Sequence, residues 1–499
     1  MVGVAATLRH RDAHFRMYHA DEGVQSYQAW RLIEEGDYRY DPAEHHGPLL
    51  YFATEWAAPF LKDEAGALSD ASMRRIPMAF SLVTLLFGVL LLRRYGSGAA
   101  LLWGSICAIA PLAVIYGAYY IQESLLAFFT LAALYSLFRY LEKGTWPSSL
   151  ALGSSLGLMH VTKETGWIHF LAMVIAATLL LVVSRSRLAR GVNLKLVATH
   201  AAAGLAIVAA LHVLFFSSFF SHPSGIVDGV VSFFHYAERS QGQGHEKPFL
   251  FYLSFFLPRT LEGIAWGELF LLMAIAGGAG AALYFDRKAK TEAARFRLFV
   301  CLFSLVLVLL YSLIPYKNPW LLLTPYLGLA YVAASGVMRL SELTLKGRRL
   351  GVALATVATA LCLGELWIRC DLAVNRYASA SRNPYLYVHT TPRYERLLER
   401  LDRLERAYGR ETLALGVYAP DGAWPLPWHL RDWESVGYWR TVDERPELDL
   451  EIFDTRLLDA VEMGGDDEAL WELHGLRPNT LLALRVTKPF DRALIQREE

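Results

Sequence analysis

Two carboxylates, Asp21 and Glu22, stand side by side in the stretch YHADEGVQSYQAWRLIEEGDYRYDPAEHHGPLLY over residues 18–51. Imidazoles flank them: His19 before, His45 and His46 after. A carboxylate at a membrane surface can take the proton of a hydroxyl acceptor as a general base. Asp21 is the candidate for that role and Glu22 its partner. Asp, Glu and His together also suit a divalent metal, with His19, His45 and His46 as the candidate ligands. Plainer readings stand beside these. Asp21 could cap the helix that Trp30, Leu32, Ile33 and the closing Gly36 indicate. Glu22 could be a first-turn acid favoured by the helix dipole, and His45-His46 a polar turn before Gly-Pro.

Further ionisable groups sit at the ends of apolar runs, where they are expensive and usually functional. Glu123 follows Gln122 at the start of one run. His160, Lys163 and Glu164 are spaced i, i+3, i+4 and share a face if their helix continues. Lys317 lies in IPYKNPW, where Pro315 and Pro319 break the helix. Arg259 follows Pro258. Fixed cations beside carboxylates suit a lipid phosphate, so Lys317, Lys163 and Arg259 are candidates to bind a donor phosphate. An internal Lys163–Glu164 ion pair and a snorkelling Lys317 are the alternatives. In AWPLPWHLRDW, Trp424 and Trp428, with Trp433, offer aromatic faces to a sugar or acceptor; the alternative is anchoring at the membrane interface.

The elements that must hold these residues are mostly apolar. Of 499 residues, 54% are hydrophobic and 19% charged, and mean hydropathy is +0.28. That balance excludes an ordinary soluble enzyme and a disordered chain. With 48 basic and 48 acidic residues, bulk charge gives no reason to expect nucleic acid as a partner. Cys107, Cys301, Cys362 and Cys370 lie in or at the end of apolar runs without metal-type spacing, and read as small packing residues.

About ten windows are apolar enough to span a bilayer, near 76–92, 99–118, 123–141, 148–162, 165–184, 196–218, 263–285, 298–315, 319–338 and 350–368. KPFLFYLSFFLP at 248–259 is shorter and reads as a re-entrant or interfacial helix. Every second loop is basic: Arg93-Arg94; Arg139 and Lys143; Arg185, Arg187, Arg190 and Lys195; Arg287 to Arg297; Arg339 to Arg349. The positive-inside rule sends these to the cytoplasm, with Arg74 and Arg75 as exceptions. The expected architecture is an α-helical polytopic protein of the cell (inner) membrane: an external loop over 1–75, a transmembrane domain over 76–370, and an extracytoplasmic α/β domain over 371–499. The last rests on a charged helix at 392–408 and strand-like runs at 412–418 and 480–486. Residues 1–20 carry seven ionisable side chains from Arg9 to His19 and read as unable to enter a bilayer, so a further span upstream is expected.

The acidic pair followed by a Pro-Leu motif, here His46-Gly47-Pro48-Leu49, resembles the first external loop of GT-C superfamily glycosyltransferases, near the dolichyl-phosphate-mannose protein mannosyltransferases. HHGPLLY, PYKNPWLLL, YVHTTP and WPLPWHLR together are similar to a prokaryotic family labelled flippase activity-associated protein, over nearly the whole chain. The resemblance implies that Asp21 is the base for the acceptor, with Glu22 its partner and Glu123 the second acidic position. It also implies Lys163 as the lysine after the next apolar segment and Lys317 as a cation near the lipid phosphate. Two departures are visible: Lys-Pro-Pro is usual where His46-Gly47-Pro48 stands, and a span usually precedes the acidic pair. The implied function is inverting transfer of a sugar from a polyprenyl-phosphate donor to a glycan, lipid or protein hydroxyl on the extracytoplasmic face. The alternative is a helper or transporter for lipid-linked glycans. Convergence of Asp21 and Glu123 on one cavity would favour the enzyme; a polar path through the bundle would favour transport.

Overall fold

The computed structural model describes residues 1–183, 193–239, 246–343, 350–443, 446, 448–461 and 469–487. It opens with α1 (Val2–Phe15), α2 (Ala20–Glu35) and α3 (Leu49–Leu61), followed by α4 (Asp70–Leu92), α5 (Ser97–Ile109) and α6 (Pro111–Ile115). The bundle continues through α7 (Glu123–Lys143), α8 (Trp146–Thr162), α9 (Gly166–Val183), α10 (Leu194–Phe216) and α11 (Gly225–Arg239). A short antiparallel hairpin, β1 (Arg259–Leu261) and β2 (Ile264–Trp266), precedes α12 (Leu269–Tyr284), α13 (Glu292–Leu313), α14 (Leu323–Leu340) and α15 (Leu350–Cys370). Among the described residues eight helices are long and apolar enough to cross a membrane, and the chain is a multi-pass membrane protein.

The difference from ten windows has local causes. The window at 99–118 is broken at Ala110-Pro111 into α5 and α6, and the one at 148–162 is α8, of 17 residues. The segment at 248–259 is no helix of useful length; it holds one 3-10 turn, Tyr252–Phe255, and leads into the hairpin.

Residues 2–15, before Asp21, are helical. They form α1, which packs against α4, α5 and α6, and Arg9, Asp12 and Arg16 are buried there. Burial is tolerated because every charge has a use. Pro111 has no N–H, so the carbonyl of Cys107 loses its helical partner; the Arg9 guanidinium donates to it at 3.2 Å, and to the carbonyls of Ala108, at 3.4 Å, and Ala113, at 3.0 Å. Arg16 pairs with Asp12 at 3.1 Å.

The basic loops that are described gather at one end of the bundle. Arg94 and Arg139 both pair with Glu292, and Arg295 pairs with Glu142. Arg185, Arg187, Arg190, Lys346, Arg348 and Arg349 lie outside the described residues. The other end carries the C-terminal region: α16 (Arg393–Tyr408), β3 (Leu415–Tyr418), α17 (Leu426–His429), β4 (Val436–Trp439), β5 (Leu450–Asp454), β6 (Ala469–Arg477) and β7 (Thr480–Thr487). Its sheet has the order β4-β3-β5-β7-β6, parallel across the first three strands and antiparallel in the rest. α16 presents Tyr394, Leu397, Leu401 and Leu404 to a core shared with Leu415, Ile452 and Leu484, separate from the core of the bundle. All four cysteines are buried and free.

Candidate functional site: a cavity beside the acidic pair

The local fold at the acidic pair separates its two members. The N-cap of α2 is His19, not Asp21: its Nδ1 accepts the Asp21 N–H at 3.0 Å, while the Glu22 carboxylate accepts the His19 N–H at 3.0 Å. This capping box turns Glu22 into the protein. There Arg74 holds it with two bonds of 2.7 Å, Arg16 with one of 2.8 Å, and the Tyr120 N–H with one of 2.9 Å. Glu22 is fully buried. Burial pushes its carboxyl up, but Arg16 and Arg74 outweigh that and hold it well below the usual range. Arg74 therefore breaks the loop-charge rule because it neutralises Glu22. Asp21, about 100° around the helix, keeps a side chain 48% exposed.

Asp21 opens onto a cavity of about 240 Å³. Gln25 shares its face of α2; Glu123 comes from the start of α7, Lys163 and Glu164 from the α8–α9 junction, and His46 from the turn before α3. Tyr316, Asn318 and Trp320 close another side. α8 stops at Thr162, and Lys163 is extended (φ −162°, ψ 143°). The expected common face of His160, Lys163 and Glu164 is thus undone: His160 meets His212 at 2.8 Å, Lys163 forms an ion pair with Glu123, and Glu164 bonds His46 at 2.8 Å. Burial lowers the Lys163 ammonium, but Glu123 and Glu164 more than offset it and its pKa is raised. Burial likewise pushes the Glu164 carboxyl up, while His46 and then Lys163 bring it down to about 2. The second oxygen of Glu123, Oε2, is buried without a hydrogen-bond partner among the described residues, which leaves it open to a ligand hydroxyl.

Residues 50–215 match the family model of the dolichyl-phosphate-mannose-protein mannosyltransferases. That stretch holds Glu123, Lys163 and Glu164 but not Asp21. No curated protein matches the chain. Two solved structures of ArnT from Cupriavidus metallidurans superpose with a TM-score of 0.66 at 13% identity. One is bound to undecaprenyl phosphate and covers 97% of each chain; the other, in the apo state, covers 97% of this chain and 96% of that one. The fold is that of these ArnT structures.

Within this ArnT-like fold several sequence candidates lie away from the cavity wall. Lys317 is buried with its ammonium donating to the carbonyls of Ile314 at 2.6 Å and Lys247 at 3.0 Å, although its neighbours Tyr316 and Asn318 line the cavity. Arg259 donates to Ser254 Oγ at 3.2 Å and lies over the Phe255 ring. The three histidines expected to share a metal have separate partners. His19 caps α2 and bonds the Tyr387 carbonyl, His45 accepts from the Asp41 N–H at 3.3 Å, and His46 bonds Glu164. Among the described residues no group of three or more His, Cys, Asp or Glu side chains is arranged to hold a metal ion.

Of the tryptophans, Trp428 is fully buried and donates to Asp70 at 2.6 Å, and Trp433 belongs to the C-terminal core. Neither presents a face to a sugar. Trp424 does reach a groove, described below. Sequence reasoning missed the His46–Glu164 bond. Its only trace was a glycine: a Cβ on Gly47 would stand 2.4 Å from the Val161 carbonyl oxygen, so only glycine lets this turn lie against the end of α8.

Proposed function

We propose that the chain transfers a sugar from a polyprenyl-phosphate-linked donor to a hydroxyl acceptor on the extracytoplasmic face of the membrane. The observation that carries the reading is the convergence of Asp21, Glu123 and Lys163 on one cavity. The fold shared with a protein crystallised with undecaprenyl phosphate supports the donor class, and the gathering of basic loops at the opposite end supports the face. Convergence also favours an enzyme over a transporter of lipid-linked glycans.

In this reading Asp21 takes the proton of the acceptor hydroxyl as its oxygen attacks the anomeric carbon. The new C–O bond forms on the face opposite the phosphate, the anomeric C–O bond to phosphate breaks, and polyprenyl phosphate leaves with the electron pair. A single displacement inverts the anomeric centre. Lys163 is the cation for the leaving phosphate, in preference to Lys317, whose ammonium already serves two carbonyls. Glu123 holds Lys163 in position and offers Oε2 to a sugar hydroxyl. Glu22 stabilises the start of α2 and touches no reactant.

The reading is tested with purified protein and radiolabelled polyprenyl-phosphate hexoses. Lys163→Met should raise the donor KM by about tenfold or more, the cost of one charge-assisted hydrogen bond, and Lys317→Met should raise it less. A larger effect at Lys317 would reverse the assignment, and failure to consume any polyprenyl-phosphate sugar would refute the donor class.

A further inference from the structure

A second groove, of about 560 Å³, is lined by residues of the 37–45 segment and of α2. Its floor on α2 is Val24, Gln28 and Arg31, which follow Asp21 and Gln25 around the same helix. The two sites also meet at consecutive residues, since His45 lines the groove and His46 the cavity. Trp424, carried in by the C-terminal region, forms part of the wall. Its place is fixed by close packing: a Cβ on Gly23 would meet Pro425 at 2.7 Å, and Arg477 donates to the Trp424 carbonyl at 3.0 Å.

The groove is polar and its charge is one-sided. Asp37, Asp41, Glu44 and Asp228 supply four carboxylates against two guanidiniums, Arg31 and Arg39. Arg31 is itself paired with Glu35, and Asp37 with His222, which leaves Asp41, Glu44 and Asp228 against Arg39. Carboxylates and guanidiniums set around an aromatic ring offer acceptors and donors for a hydroxyl-rich ligand, and an apolar plane for its C–H face. The excess of negative charge repels a phosphorylated or carboxylated ligand.

We propose that this groove is the acceptor subsite and that the acceptor is an uncharged oligosaccharide whose terminal hydroxyl reaches Asp21 along α2. The inference rests on the transferase reading for its role but not for its occupancy. A lipid-borne or anionic acceptor is the competing outcome.

Binding is measured by calorimetry on the full chain in lipid nanodiscs, with mannotriose and mannotriose 6-phosphate as probes, and transfer to each is followed separately. Mannotriose should bind more tightly than its phosphate. Glu44→Lys with Asp228→Lys should reverse that order, and Trp424→Ala should weaken mannotriose binding by about tenfold. Equal binding of the two probes, tighter binding of the phosphate, or no response to either variant would overturn the subsite. Unchanged melting temperatures confirm that the variants are folded; should Trp424→Ala fail that check, the double-lysine variant carries the test alone. Mannotriose binding in the groove without transfer to it or to any other acceptor would keep the subsite and refute the transferase reading. Transfer to an acceptor whose KM ignores the groove variants would do the reverse.

Discussion

Glu22 sits among Arg16, Arg74 and two backbone N–H groups with no exposure to solvent. Glu22→Gln keeps the shape but strips the anion from buried Arg74 and leaves buried Arg16 with Asp12 alone. Breaking such a cluster costs roughly 3–5 kcal/mol, so the variant should melt well below the parent; an unchanged melting temperature would contradict the structural role. His45 gives a pH dependence of known sign. Burial pushes its imidazole down from 6.5 to about 4, so the unfolded chain takes up the proton first as pH falls. Stability from His45 is complete above about pH 6.5 and lost progressively toward pH 4. His45→Gln should flatten the melting-temperature profile across that window, and a profile parallel to the parent's would refute it. None of this separation between Asp21 and Glu22 was legible in sequence. Two adjacent acids look alike until the capping box turns one inward, and the cap itself came from a histidine, a residue type outside the usual N-cap set.

At the scale of elements, hydropathy marked most spans because a bilayer helix has to be apolar along its length. It failed where polar groups are satisfied internally. α1 was illegible because Arg9, Asp12 and Arg16 resemble a solvated segment; Asp12 and Arg16 pair with each other, Arg16 also with Glu22, and the two guanidiniums reach carbonyls about a hundred residues away, of which that of Cys107 is freed by Pro111. The α8–α9 break was legible from the gap between the apolar windows at 148–162 and 165–184, but not the direction in which each side chain leaves it. That geometry depends on the turn holding Gly47. Gly47→Ala would force its methyl against the Val161 carbonyl, displacing His46 from Glu164 and narrowing the cavity. Turnover should fall by about tenfold or more, the cost of a misplacement of about 1 Å near reacting groups. Wild-type turnover in that variant would mean the His46 turn does not shape the site.

For the whole molecule, the C-terminal region and the membrane bundle meet at α2, at the residues just before it and at the start of α4. Trp428 and His429 bond Asp70, Thr390 bonds the Tyr18 carbonyl, and Tyr387 bonds His19, so the sheet region braces the helix that presents Asp21. The sequence revealed the helix at 392–408 and two of the strands, since their patterns are local. It did not reveal which aromatic residues of AWPLPWHLRDW face outward, since that is decided by docking onto α2 and α4. The central claim is that Asp21 is the base of a sugar transfer in the cavity it shares with Glu123 and Lys163. Its most direct test is the rate at which purified protein transfers labelled hexose from a polyprenyl-phosphate donor, compared between the parent and Asp21→Asn at matched melting temperature. Asparagine keeps the size of the side chain and removes its basicity, so turnover should fall by about 100-fold or more while donor affinity stays close to the parent's. Transfer at the parental rate by a folded Asp21→Asn protein would contradict the claim.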